Sequence, residues 1–150
     1  MIAYTLRPLH PSDWPAVFAA AMAAIPDAEA ENREWLANRQ AIAAGETRHH
    51  HCVVEDQTGA VIGFGAVEEG PHPGAFRVYV VGAPEETTGE MGTTVFDYLS
   101  DRLLEFGAEL AWVREEARDP VVHFFESVGF RETGRFTLPN GRQAVVLEKK

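Results

Sequence analysis

The 150-residue sequence has one cysteine, no long apolar run and few basic side chains. The lone Cys52 excludes an internal disulfide and is typical of a reducing cytoplasm. It lies in the apolar run Cys52-Val53-Val54, so we expect a buried core thiol rather than a nucleophile. No apolar run approaches the roughly 20 residues that span a bilayer, so we expect no membrane partner.

Positive charge is scarce: 13 Lys and Arg stand against 23 Asp and Glu, a net charge of −10. Such a chain repels nucleic acid, so we expect no nucleic-acid partner. The apolar stretch Trp14 to Ile25 imitates a signal peptide, but Asp13 and Pro15 interrupt it, and we expect a cytoplasmic location. The length and the 45% hydrophobic content predict a single domain over residues 1–150.

Apolar periodicity and turn residues predict the order β-α-α-β-β-β-α-β-α-β-β, which implies a mixed sheet with helices on both faces. The first predicted strand includes Ile2 and ends at Pro8. The other predicted strands cover His51–Glu55, Ala60–Glu68, Phe76–Val81, Glu109–Arg114, Phe130–Phe136 and Ala144–Leu147. The predicted helices cover Trp14–Ile25, Glu29–Ala44, a segment from Gly92 to Phe106, and a segment from Asp119 to Val128.

Two segments carry more specific signals. Asp119-Pro120 is an N-cap followed by proline in the first turn, and Gly129-Phe130 ends that helix with a left-handed cap. The strand Val78–Val81 is followed by Gly89 and Gly92 at a helix start. Helix N-terminal amides attract anions, and glycine lets backbone approach a phosphate closely.

Together with the element order, these segments resemble the GNAT superfamily of acyl-CoA-dependent N-acyltransferases. The resemblance implies a mixed, mostly antiparallel α/β (α+β) sheet of six to seven strands. It also implies acetyl-CoA as cosubstrate without a metal, a small-molecule or peptide amine as acceptor, and a homodimer. The pantetheine arm would pair with the Val78–Val81 strand. The residues that would bind the cofactor are Val80, Val81, Thr87, Thr88, Gly89, Glu90, Met91, Gly92, Thr93 and Phe125.

The chain departs from the superfamily's phosphate loop. Thr87 replaces its Arg or Gln, and Glu90 replaces its middle glycine. Carboxylates of Glu85, Glu86 and Glu90 would repel a phosphate if they faced it. They would be harmless if they pointed outward, because only backbone amides are needed. Phe125 stands where many members carry a tyrosine that protonates the leaving thiolate.

Acyl transfer to an amine needs a base, and Glu69 and Glu116 are the residues we predict for it. Glu68 and His72 also lie near strand ends that would border the acceptor. The tract His49-His50-His51 has no partner spaced to complete a metal site. Two alternatives stay open: a catalytically inactive GNAT-fold module for binding or dimerisation, and an unrelated α/β enzyme with a phosphate ligand.

Overall fold

The computed structural model describes residues 4–116, 119–139 and 141–150. Its strands are β1 (Thr5–Pro8), β2 (His49–Glu55), β3 (Val61–Glu69), β4 (Ala75–Gly82), β5 (Leu110–Glu116), β6 (Arg131–Thr137) and β7 (Gln143–Lys149). Its α-helices are α1 (Trp14–Ala24), α2 (Glu29–Ala44), α3 (Pro84–Thr87), α4 (Glu90–Phe106) and α5 (Asp119–Ser127), and a 3₁₀ turn, Pro11–Asp13, precedes α1.

All seven strands belong to one sheet in the order β1-β2-β3-β4-β5-β7-β6. Every neighbouring pair is antiparallel except β4 and β5, which are parallel. The predicted mixed, mostly antiparallel α/β architecture is therefore confirmed. No helix among the described residues is long and apolar enough to cross a bilayer.

The parallel pair β4–β5 is short. Its register joins three residue pairs, from Ala75↔Leu110 to Arg77↔Trp112. On its other side β4 pairs with β3 along its length, up to Gly82 opposite Gly63. From residue 78 onward β4 thus has β3 as its paired neighbour, and the two parallel strands separate. The sheet opens on the β5 side of β4.

Helices cover both faces of the sheet. The α4–α5 face encloses an apolar cluster that includes Cys52, Met91, Leu99 and Phe130, all nearly inaccessible to solvent. The α1–α2 face encloses a smaller cluster centred on Val17, Val53, Phe64, Ala66 and Tyr79. Burial raises the pKa of the Cys52 thiol to about 12, as expected for a core cysteine without nucleophilic function.

Two glycines end helices as the sequence predicts. Gly107 follows α4 with φ +69°, and Gly129 follows α5 with φ +102°, both in the left-handed region that favours glycine. Phe130 then returns to the core, where it is 2% exposed. This capped turn directs the chain from α5 into β6.

The predicted element order is confirmed, with differences at several boundaries. β2 begins at His49 rather than His51, and β5 continues to Glu116 rather than Arg114. The short helix α3 was not predicted, because four residues are too few to show a helical period. Ile2, which belonged to the predicted first strand, lies outside the described residues.

Candidate active site

The opening between β4 and β5 forms a groove of about 250 Å³. β4 lines it from Arg77 to Gly82, apart from Val78, and β5 contributes Arg114 and Glu115. Helices α1, α2, α3 and α5 and the β7 residue Ala144 complete the walls. The groove passes through the sheet, so its wall includes side chains from both faces.

One end of the groove lies where α3 meets α4. A Cβ atom on Gly92 would overlap the carbonyl oxygen of Thr87 and would lie 3.1 Å from the Phe124 ring. The backbone of α3 therefore packs directly on the first turn of α4, and this approach requires glycine. The first-turn amides of α4 have no acceptor within the helix, and they carry the positive end of its dipole.

The threonine hydroxyls near this junction already have acceptors. Thr87 and Thr88 donate to the Pro84 carbonyl at 3.3 and 2.7 Å, and Thr93 donates to the Gly89 carbonyl at 3.3 Å. Main-chain amides, rather than these hydroxyls, are thus the donors that this end of the groove offers to an anion.

The three acidic side chains of the predicted loop do not line the groove. Glu85, Glu86 and Glu90 are absent from its described wall. Burial raises the pKa of Tyr4 on the edge of the sheet, and the nearby carboxylates of Glu86 and Glu90 raise it further. Because these two carboxylates do not line the groove, they do not face a ligand there, and the repulsion that an inward orientation would cause is reduced.

The residues predicted to bind the cofactor fall into two groups. Val80, Val81, Thr87, Thr88 and Phe125 line the groove. The others form the α3–α4 junction behind it: Gly89, the N-cap residue; Glu90, which is exposed; Met91 and Gly92, which are buried; and Thr93, which is exposed.

Phe125 lies in an aromatic cluster at the wall of the groove. Its side chain is 2% exposed and makes edge contacts with Phe124 and Phe130. A phenyl ring in this position supplies an apolar wall and no proton.

The other end of the groove is cationic and aromatic. The Arg77 guanidinium carbon lies 4.6 Å from the Tyr79 ring centroid and 5.1 Å from that of Trp112. The Arg114 guanidinium lies 4.9 Å from the Phe136 ring centroid. Burial lowers the pKa of Arg77, and the nearby charges of Arg39 and Arg114 lower it further.

A buried ionic cluster adjoins this end. Glu68 Oε2 lies 2.8 Å from Arg39 Nε and accepts a 2.8 Å hydrogen bond from His51 Nε2. The Arg39 guanidinium also lies 4.5 Å from the Tyr79 ring centroid. Because Arg39 belongs to α2, the cluster links Tyr79 on β4 to a helix that covers this face of the sheet.

The predicted bases occupy different places. Glu69 accepts two hydrogen bonds from Arg48, at 3.1 and 2.6 Å, and one from the Gly74 amide. The Arg48 bonds lower the pKa of Glu69 to about 2, and Glu69 does not line the groove. The backbone of Glu116 pairs with Ala144, a groove residue, but its side chain lies outside the described residues. His72 is exposed in the loop before β4.

Five polar groove residues were not predicted from the sequence: Asn32, Arg77, Tyr79, Arg114 and Glu115. One signal was available for β4, because Arg77 and Tyr79 alternate with apolar residues in a strand that reads as buried. A charged residue in such a strand needs a partner or a function. The β5 residues gave no comparable signal.

The histidine tract divides between the two faces, as strand alternation requires. His49 and His51 have ring centroids 4.8 Å apart on one face, whereas His50 makes a 2.7 Å hydrogen bond with Tyr98 on α4. Within the described part of the chain, no group of three His, Cys, Asp or Glu side chains is arranged to hold a metal ion.

Comparison with known proteins identifies the family of the chain. The model of the acetyltransferase (GNAT) family matches residues 5–130. No curated protein matches the chain. Among solved structures, a chimera of Vibrio cholerae spermidine N-acetyltransferase SpeG with hSSAT has a TM-score of 0.75 at 18% identity, covering 97% of this chain and 94% of that one.

Two further solved structures have similar scores. The ribosomal-protein-S18-alanine N-acetyltransferase from Escherichia coli has a TM-score of 0.75 at 17% identity, covering 98% of this chain and 93% of that one. The Salmonella typhimurium protein yncA, with its cofactor acetyl-CoA, has a TM-score of 0.74 at 17% identity, covering 99% and 94%. The opened β4–β5 pair, the α3–α4 junction and the family match agree: the chain belongs to the GNAT family of acetyltransferases.

Proposed function

We propose that this protein transfers an acetyl or other acyl group from acyl-CoA to the amine of a small molecule or peptide. One observation carries the proposal: the groove between β4 and β5 begins at an unpaired strand edge and ends at α3, whose backbone packs on the first turn of the long helix α4. An extended pantetheine arm needs such an edge, and a pyrophosphate needs the free amides of a helix's first turn.

The residues present fit this cosubstrate. Gly92 allows α3 to pack on α4 without a side chain between them, and the acidic side chains of the loop are absent from the described wall of the groove. Val80 and Val81 would border the pantetheine arm, and the first-turn amides of Glu90, Met91 and Gly92 would bind the pyrophosphate. Bound acyl-CoA supplies an activated thioester carbonyl; the protein supplies position.

The reaction needs few groups from the protein. The acceptor nitrogen attacks the thioester carbonyl carbon, a C–N bond forms, and the C–S bond breaks with its electron pair leaving on sulfur. The nitrogen loses a proton to a base. Because a thiol has a pKa of about 8.5, the thiolate can leave without a dedicated acid and be protonated by water. Phe125 is compatible with this route.

We assign the base to the end of β5. Glu115 lines the groove, and its charge is near enough to Arg77 to raise the pKa of that guanidinium. Glu116 follows it in the strand and stays a predicted candidate. Glu69, the other predicted base, is held by Arg48 and has a depressed pKa, so it is a weak proton acceptor.

The open groove favours an enzyme over an inactive module. A GNAT-fold protein used only for binding or dimerisation would have no need to keep space between β4 and β5, and side chains could fill it. Here the space of about 250 Å³ remains.

The homodimer and the cytoplasmic location stay part of the proposal. The single buried cysteine supports the cytoplasmic location. A single domain is supported by the one sheet that includes all seven strands.

Calorimetric titration with acetyl-CoA and coenzyme A tests the proposal. We expect micromolar binding, and we expect Gly92→Ala to weaken it by about 10-fold or more, because the added methyl group forces α3 away from α4. Gly134→Ala is the matched control, since its new Cβ would meet only Val146 at 4.0 Å. Absence of binding at millimolar coenzyme A in the folded wild type would overturn the proposal.

A further inference from the structure

We infer that the amine acceptor carries a carboxylate, which Arg77 and Arg114 bind at the end of the groove remote from the α3–α4 junction. The inference rests on the proposed acyltransferase function and names the class of its substrate. It would make the acceptor an amino acid or a related amine with an acidic group, rather than a polyamine.

Arg77 provides the main observation. Among the described residues its guanidinium makes no hydrogen bond and no ion pair, and its buried Nε atom has no hydrogen-bond partner. Yet the side chain lines the groove and lies against the rings of Tyr79 and Trp112. A partly desolvated guanidinium that lies between two rings and makes no hydrogen bond to the described residues is available to bind a planar anion through paired hydrogen bonds.

Arg114 adds a second cation to the same place. It is two residues beyond Trp112, the register partner of Arg77, and so lies on the same face of the sheet. The positive charge of Arg114 lowers the pKa of Arg77, and both side chains line the groove. Within the described part of the chain, the Arg114 guanidinium lies against the Phe136 ring. The two cations stand out in a chain of net charge −10.

The cofactor's phosphates do not explain these arginines. Arg77 lies five residues before Gly82 on β4, and a rise of about 3.3 Å per residue separates them by roughly 16 Å. The α4 N-terminus follows Gly82, so the two ends of the groove provide separate anion sites. Arg77 instead occupies the last paired position of β4 and β5, on the face of the sheet that α1 and α2 cover.

The rest of this end suits a zwitterionic acceptor. Glu115 offers a carboxylate to the amine, while the arginines offer donors to the acid. The nearby wall contains Ala21, Ile25 and Leu138, which suit an apolar remainder. A polyamine would bring positive charge towards two arginines, which disfavours binding.

The inference is tested with free coenzyme A release as the readout. The acceptors are the twenty standard amino acids, their carboxamides, spermidine and a peptide with a free N-terminus. We expect at least one amino acid to be acetylated with a kcat/KM roughly 10- to 100-fold above that of its carboxamide. Arg77→Met should abolish this preference by raising the KM for the acid, with binding of acetyl-CoA unchanged.

Two further variants guard against misfolding of Arg77→Met. Arg114→Gln changes an exposed side chain and should lower the acid-to-amide ratio several-fold. Arg131→Gln removes an equally exposed arginine outside the groove and should leave the ratio unchanged. Quenching of tryptophan fluorescence by the N-acetyl amino acid, but not by its amide, gives a binding readout independent of turnover, because Trp112 adjoins Arg77.

The outcomes separate the two proposals. Failure to bind acetyl-CoA refutes the acyltransferase itself. Binding of acetyl-CoA with acetylation of spermidine or peptide and no preference for acids refutes only the carboxylate inference. An acid preference that survives both Arg77→Met and Arg114→Gln also refutes it, and so does the absence of fluorescence change with every acid when coenzyme A still binds.

Discussion

The two faces of the sheet differ in the polarity of the side chains that they bury. The α4–α5 face is filled by apolar side chains such as Met91, Leu99 and Phe130. The α1–α2 face combines a small apolar cluster with buried charges, including Arg39, Glu68 and, at its margin, Arg77. An apolar face stabilises by burial alone, whereas buried charges cost desolvation and persist only when partners or a function compensate.

The difference shows where the molecule keeps its chemistry. Arg39 and Glu68 compensate each other within the protein, but Arg77 has no such partner among the described residues. The first pair positions Tyr79 and is structural. Arg77 lies in the groove, where a bound ligand can supply the anionic partner that the protein does not. Variants of the charged residues on each side of this division test it.

Breaking the buried ionic cluster should have the largest effect. Glu68→Leu leaves the Arg39 guanidinium, 11% exposed, without its carboxylate. We expect a loss of about 3–5 kcal/mol in the free energy of unfolding, measured by urea denaturation. The double variant Glu68→Leu with Arg39→Met should lose much less, because no charge is left buried and unpaired. Equal losses in the two proteins would show that the charges do not need each other.

Removing the assigned base should slow transfer. Glu115→Gln should lower kcat/KM by roughly 100-fold, because the acceptor amine then loses its proton acceptor, with acetyl-CoA affinity unchanged. Initial rates with the best acceptor measure it. Glu69→Gln is the control and should retain wild-type activity, since Glu69 does not line the groove. If Glu116→Gln lowers the rate and Glu115→Gln does not, the base is the residue predicted from sequence.

The smallest expected effect concerns Glu69 at the end of β3. The pKa of Glu69 falls from 4.5 to about 2 through its hydrogen bonds with Arg48. A depressed folded-state pKa stabilises the protein above the unfolded pKa, and the stabilisation is lost as pH falls. We therefore expect wild type to exceed Glu69→Gln in stability above pH 5, with the difference vanishing between about pH 4.5 and 2. Denaturation midpoints across that range measure it. A difference independent of pH would contradict the ionic origin.

Local patterns predicted most of the fold. The cap at Gly129 and the apolar periods of the predicted helices and strands depend on neighbouring residues, and those elements lie where the sequence placed them. The strand order was less accessible. β7 lies between β5 and β6, and nothing in its own seven residues records which edges it pairs with.

The site was predicted only in part. The sequence indicated the Val80–Val81 strand and the Gly89–Gly92 loop, but it left open whether the loop carboxylates faced the ligand. That orientation depends on the packing of α3 against Gly92 and on the position of Tyr4, which is more than 80 residues away in the chain. The base and the arginines were missed because their role depends on where β4 and β5 separate.

The elements, their caps and, through them, the family could be inferred from local sequence. Those features follow from short-range sterics, hydrogen bonding and apolar period, which act within a few residues. The separation of β4 and β5 after Arg77, which creates the groove beside this guanidinium, depends on the tertiary structure. Pairing between distant strands balances many weak contacts at once, and no local segment contains that balance.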